Sequence, residues 1–228
     1  MSINLTKGEK INLSKEVPGL KKVVVGLGWI TKDLVKKAVK KNVENSGGLT
    51  SFFGSLFKNG DRDAFEYEGN TSKCDIDVDA TAFLLSSGKL LDTDDIIYFG
   101  QKTHKSGAVK HSGDDLTGGS KGDCEQIVID LTQLPEIYDE IVLIANIYNC
   151  SSRKQDFTML QNAFIRLFVP NENKEICRYE LVEEKDRNTA IVFGKLYKHD
   201  GEWKFGAIGN FTKDTEINQM VKNYLKNK

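Results

Sequence analysis

Alternating apolar and polar positions, rich in β-branched residues, run through most of the chain and predict strands rather than helices. The pattern marks eight segments: Lys21 to Gly28, Asp75 to Leu85, Gln126 to Leu131, Glu140 to Ile147, Ala163 to Pro170, Glu175 to Val182, Thr189 to Lys198 and Glu202 to Gly209. The last two are joined through His199-Asp200-Gly201, and Asp-Gly is a strong hairpin signal because glycine tolerates positive φ. Most other connections are short, punctuated by Gly, Asn and Asp, and leave no room for crossover helices. Antiparallel sheets follow.

Two stretches depart from this pattern. Lys213 to Leu225 sets Ile217, Met220, Val221, Tyr224 and Leu225 at helical spacing, which predicts a closing helix packed on a sheet. Thr31 to Lys73 begins with TKDLVKKAVKKNV, where Leu34, Val35, Ala38, Val39 and Val43 share one helical face, and Asn45-Ser46-Gly47-Gly48 ends that run. LTSFFGSLF and a polar loop follow. The expectation is a predominantly all-β chain, one domain over residues 1–228: an antiparallel β-sandwich with a lysine-rich helical insertion at about 31–73, after the first strands, and a C-terminal helix.

Composition then narrows the class. With 228 residues, 39% hydrophobic and 29% charged, the chain is of the ordinary soluble kind rather than fibrous or disordered. The formal net charge of -1 is a cancellation: Met1 to Lys73 carries 13 basic against 8 acidic residues, Cys74 to Glu125 carries 5 against 10, and the remainder 14 against 15. The opening residues lack the apolar segment of a signal peptide, and no apolar run approaches the ~18 residues of a membrane span. Cys74, Cys124, Cys150 and Cys177 form no C-x-x-C pair and are read as reduced thiols, which points to the cytoplasm.

The middle segment holds the candidate chemistry. In Asp75-Ile76-Asp77-Val78-Asp79-Ala80, an extended backbone puts the three aspartates on one face and the apolar residues on the other. Like charges stacked this way invite a cation, and no Lys or Arg lies between Asp75 and Ser87 to supply one. A solvated strand end, whose charges block edge pairing, accounts for the same pattern. Downstream, the glycine-rich loop from His111 to Glu125 carries Asp114, Asp115, Asp123 and Glu125. Hard cations such as Ca2+ take 6 to 8 oxygen ligands from carboxylates and carbonyls, and strand plus loop could supply one site or two. The spacing is not that of an EF-hand, since Ala80 stands where the sixth-position glycine belongs.

Other chemistry scores poorly. Gly26-Leu27-Gly28 lacks the third glycine of a dinucleotide loop, and Gly113 to Gly118 lacks the lysine of a phosphate loop. His104, His111 and His199 have no zinc spacing and are read as surface or hairpin residues. Trp203 and Phe205 read as core anchors, and no basic patch accompanies them to suggest nucleic acid. No residue is assigned a catalytic role.

Together these residues resemble the TerD family of bacterial tellurium-resistance and general-stress proteins. The resemblance rests on INLSKEVPGLKKVVVGLGW (Ile11 to Trp29), DIDVDATAFLL (Asp75 to Leu85) and HSGDDLTGGSKGDCEQIVIDLTQLP (His111 to Pro135). It continues through NAFIRLF (Asn162 to Phe168), RYEL (Arg178 to Leu181) and TAIVFGKLYKHDGEWKFGAIG (Thr189 to Gly209). It implies a β-sandwich that binds Ca2+ through Asp75, Asp77 and Asp79 of the acidic strand and Asp114, Asp115, Asp123 and Glu125 of the loop. It also implies stress resistance without ordinary catalysis, acting through other proteins of a stress-response complex. Thr81 replaces the family's serine, Asp115 its asparagine and Asn149 a frequent aspartate, while Gly119, Lys121 and Cys124 stand where further acids are common. Those losses would weaken a second calcium site.

Two alternatives remain open from the residues alone. One is Ca2+-dependent attachment to a membrane surface, with the lysine-rich insertion and Phe52-Phe53 as the contact. The other is a carboxylate-based hydrolase, which would need acids about 5 to 10 Å apart and sugar-stacking aromatics among them.

Overall fold

The computed structural model describes residues 2–31, 76–113, 123–170, 172, 174–181 and 186–225. Twelve strands are seen among them: β1 (Ile3–Leu5), β2 (Lys10–Asn12), β3 (Lys22–Thr31), β4 (Val78–Leu85), β5 (Ile96–Ile97) and β6 (Val109–Gly113), then β7 (Glu125–Asp130), β8 (Glu140–Ile147), β9 (Leu160–Val169), β10 (Lys174–Glu180), β11 (Ala190–His199) and β12 (Glu202–Thr212). They form two six-stranded sheets, ordered β1-β10-β9-β3-β7-β6 and β2-β12-β11-β8-β4-β5. Every pairing is antiparallel except β1 with β10, which is parallel.

Alternation explains how the sheets stack. On the first sheet Val23, Val25, Leu27, Ile127, Ile129, Ile165 and Leu167 point inward, and on the second Val78, Ala80, Ala82, Leu84, Ile141, Leu143 and Ala145 meet them in one buried cluster. The other face of β4 and β8 is apolar at one end only. There Phe83, Leu85, Val142 and Ile144 form a second cluster with Met220 and Val221 of a C-terminal helix (Ile217–Val221). At the other end the same face turns polar, with Asp79, Thr81 and Asn146. That change from apolar to polar along one face positions the candidate site.

The Asp-Gly hairpin forms as the sequence predicts, with Asp200 at φ 55° and Gly201 at φ 77° joining β11 to β12. Other expectations shift. The acidic strand begins at Val78, so Asp77 precedes it. The closing helix starts at Ile217 rather than Lys213: Thr189 Oγ1 donates to Asp214 O at 2.7 Å and Thr212 Oγ1 to Asp214 Oδ2 at 2.8 Å, tying Asp214 to the sheet, and Glu216 is still extended. Strands β1, β2 and β5 are only two or three residues long, too short for an alternation to show, and β6 holds a single β-branched residue. Of the insertion predicted at 31–73, Thr31 ends β3, and 32–73 lie outside the described residues. Cys150 and Cys177 are free and buried, but Cys124 is disulfide-bonded, which corrects the expectation of four reduced thiols and removes the support they gave to a cytoplasmic location. No helix among the described residues is long and apolar enough to cross a membrane.

Candidate metal site

Where β4 leaves the shelter of β5, which pairs only with Ala82 and Phe83, its first residues lie at an open edge of the second sheet. A cavity of about 280 Å³ lies here, lined by Asp77, Asp79, His111 and Glu125, with Phe99, Lys102 and Tyr148 around it. Three carboxylates predicted from the sequence thus share one space. Asp79 is only 7% exposed, whereas Asp77 is exposed and its Oδ2 lies 3.8 Å from Arg153 Nη1.

Asp79 stands directly opposite Asn146 on β8, and residues so paired project from the same face of a sheet. Asn146 is 4% exposed, and its Oδ1 finds no hydrogen-bond partner among the described residues; nor does Oγ1 of the fully buried Thr81, two residues along from Asp79. A buried oxygen without a donor costs about 1–3 kcal/mol. Two such oxygens beside a buried carboxylate form a surface rich in acceptors, which suits a hard cation.

Glu125 reaches the cavity because it shares the inward parity of Ile127 and Ile129 on β7. His111 on β6, opposite Ile127, brings its Nε2 to 2.7 Å from Glu125 Oε2. The sequence reading placed His111 and His104 at the surface, and both are buried, at 5% and 1% exposure. His104 instead joins a second polar cluster, where its Nε2 lies 3.4 Å from Asp95 Oδ1 and Tyr138 Oη donates to the same oxygen at 2.6 Å. Burial, reinforced by the bond to Asp95, raises the Tyr138 phenol far above its ordinary pKa. Only His199, at the hairpin, sits where expected.

Asp123 is not in the cavity. Its carboxylate lies over the outer face of the first sheet, where Arg166 Nε donates to Oδ1 at 2.8 Å, Arg166 Nη2 to Oδ2 at 2.9 Å and Gln126 Nε2 to Oδ2 at 3.1 Å. Burial alone would lower the Arg166 pKa, but the bonds and charge of Asp123 outweigh it and raise the value. Gly26 leaves room for this pair: a Cβ there would come within 2.3 Å of Asp123 Oδ2. Asp75, Asp114 and Asp115 lie outside the described residues. Among the described residues, no three His, Cys, Asp or Glu side chains converge closely enough to hold a metal by themselves.

Sequence reasoning also missed Phe99, Lys102, Asn146 and Tyr148. Asn146 left a trace, as the lone amide in the apolar run IVLIANI. Asn149, where the family often has aspartate, adopts the left-handed conformation at φ 53°, which asparagine tolerates better than most residues.

The TerD domain model matches residues 1–224 of the chain. Stress response protein SCP2 of Bacillus subtilis is 38% identical over 99% of this chain and 100% of its own length. General stress protein 16U of Bacillus subtilis is 37% identical over 92% and 91%, and the tellurium resistance protein TerD of Serratia marcescens is 36% identical over 92% and 90%. Among solved structures, SCO6318 from Streptomyces coelicolor, a homologue of telluride resistance protein (TerD), superposes with a TM-score of 0.53 at 14% identity, over 88% of this chain and 95% of that one. A protein of unknown function, SAV2460, gives 0.54 at 16%, over 91% and 99%. The structural likeness supports the sandwich fold; the family-model match and the sequence relatives show that the chain belongs to the TerD family.

Proposed function

We propose that the chain is a non-enzymatic binding module of the stress response that takes up one hard divalent cation, Ca2+ foremost, in the cavity between β4 and β7. The observation that carries this reading is Asn146 Oδ1, buried without a hydrogen-bond partner among the described residues and directly opposite Asp79. Asp77, Asp79 and Glu125 line the cavity and supply negative charge, and Asn146, opposite Asp79 on β8, offers a carbonyl oxygen beside that carboxylate. Asp75, Asp114 and Asp115, the acids flanking them in sequence, are the proposed remaining ligands. His111, beside Glu125, orients that carboxylate in the way that groups around metal ligands commonly do. Because Asp123 is committed to Arg166, the reading favours one ion over two.

Function through partners follows from this chemistry, since a bound cation with open coordination positions can bridge to acidic groups of another protein. The relatives' names, a stress response protein and tellurium resistance proteins, support a role in those responses. Thermal melting tests the binding step. Ca2+ at a hundredfold excess over its Kd stabilises a protein by about 2.7 kcal/mol, which for a chain of this size raises Tm by roughly 5 to 10 °C. An unchanged Tm on adding millimolar Ca2+ to chelator-treated protein contradicts the reading.

A second reading has one observation in its favour. Phe99 and Tyr148 are 45% and 43% exposed, their ring centroids 5.8 Å apart at the edge of the cavity, with Arg153 over the Tyr148 ring. Aromatic and basic groups around a metal site suit an anionic lipid surface. Sedimentation with phosphatidylserine vesicles, with and without Ca2+, separates this from a purely protein partner.

A further inference from the structure

Asp123, Cys124 and Glu125 are consecutive, yet the first and third carboxylates face opposite sides of the same sheet. Glu125 follows the inward parity of β7, pairs with Leu27 of β3 and looks into the cavity. Had the strand continued regularly to Asp123, that residue would share Glu125's face. The chain turns instead at Cys124, whose N–H donates to Leu27 O at 2.7 Å, and Asp123 folds outward across Gly26 to meet both Arg166 Nε and Nη2. Gly26 is the register partner of both Arg166 and Gln126, so the missing side chain lies at the one point where Asp123 must cross from β7 to β9.

Arg166 is itself held. Its Nη1 lies 3.5 Å from Glu175 Oε2 on β10, and its guanidinium carbon sits 4.7 Å from the centre of the Phe168 ring. Asp123 is 5% exposed and Arg166 3%. A bidentate, buried, charge-assisted pair fixes both position and angle, where a single contact fixes only distance. The clamp therefore sets where the glycine-rich loop ends and where the inward strand begins.

We infer that Arg166 and Asp123 form a positioning clamp that sets Glu125 in the cavity, and that Asp123 serves as this anchor rather than as a cation ligand. The inference rests on the divalent-cation reading of the cavity, but part of its test does not. Breaking one half of the clamp alone leaves a buried charge uncompensated and can unfold the protein, whereas replacing both halves by apolar residues of similar size is often tolerated. The variants are Arg166→Met, Asp123→Leu and the two together, all compared with the disulfide of Cys124 reduced, so that it cannot hold the segment in place of the clamp. Two readouts are taken: amide exchange at Cys124, with Leu143 of β8 as internal reference, and Ca2+ affinity by calorimetry.

The clamp predicts that Cys124 exchanges roughly tenfold faster in the double variant while Leu143 does not change. It also predicts that Ca2+ affinity falls by a similar factor in each folded variant, with the double no worse than the singles, as coupled residues behave. An Arg166→Met protein that binds Ca2+ as well as or better than wild type, while Asp123→Leu abolishes binding, would make Asp123 a ligand and overturn the inference. So would a double variant whose Cys124 exchange matches wild type. If no protein in the series binds Ca2+, the cation reading falls, and the exchange at Cys124 still decides whether the clamp holds the segment.

Discussion

Asp79 and Asn146 face each other across β4 and β8, and beside this buried carboxylate the Asn146 Oδ1 has no hydrogen-bond partner among the described residues. Two residues further in, the same face carries Thr81 opposite Ile144, and beyond them Phe83 and Val142 belong to the apolar cluster covered by the C-terminal helix. The polar pair thus marks the end of the helix-covered core and the start of the proposed cation site.

Asn146→Leu tests that boundary. Without a cation, the buried amide oxygen is a cost, so an apolar side chain leaves the chelator-treated protein as stable as wild type or more stable, by up to about 1–3 kcal/mol. The same variant loses the Ca2+-dependent rise in Tm. A loss of stability in chelator, with the Ca2+ shift intact, would assign Asn146 to core packing alone.

Gly26→Ala tests the space that Asp123 occupies. The added Cβ would lie 2.3 Å from Asp123 Oδ2, so the carboxylate must leave Arg166. Disrupting a buried ion pair costs on the order of 3 kcal/mol. Gly206→Ala is the control, because a Cβ there meets nothing closer than 3.7 Å. Urea midpoints should fall clearly for the first variant and shift little for the second.

Stability below pH 5 should depend on Asp130. Burial would raise its pKa, but bonds from Thr132 and the ammonium of Lys22, 3.1 Å away, outweigh burial and lower it below the ordinary carboxylate value. A depressed folded-state pKa contributes stability above the unfolded value of about 4 and loses it as pH falls through the folded value. Asp130→Asn should be less stable than wild type at pH 7, with the gap in urea midpoint closing as pH falls through the folded-state value. A gap that stays constant with pH would remove the carboxylate charge from the explanation.

The Cys177 thiol should be inert in the native state. Burial, with the charge of Glu175 nearby, pushes it up to about 12, so almost no thiolate exists at pH 8. Iodoacetamide should label this residue only after denaturation, as mass spectrometry of digested protein would show. Rapid native labelling would contradict its burial.

Much of the sandwich was legible because its central strands are long and bury one face each. The run Glu140 to Ile147 is identical to β8, and the Asp-Gly turn lies where glycine and aspartate require it. Strands of two or three residues at sheet edges, such as Ile96–Ile97, carry no period long enough to detect. The acidic residues were legible as a group, but their distribution was not. Asp123 and Glu125 differ by two positions, the spacing of a shared strand face, and only the turn at Cys124 and the gap at Gly26 send them to opposite sides of the sheet. His111 was read as a surface residue because its strand, Val109–Gly113, holds one β-branched residue, and the carboxylate it faces comes from a different strand.

Calorimetric titration of chelator-treated protein with Ca2+, run beside Asp79→Ala and Asn146→Leu, tests the cation site most directly. The account predicts saturable binding near one ion per chain for wild type, tighter than millimolar and lost or strongly weakened in both variants. Absence of binding in wild type, or binding that survives both substitutions, would contradict it.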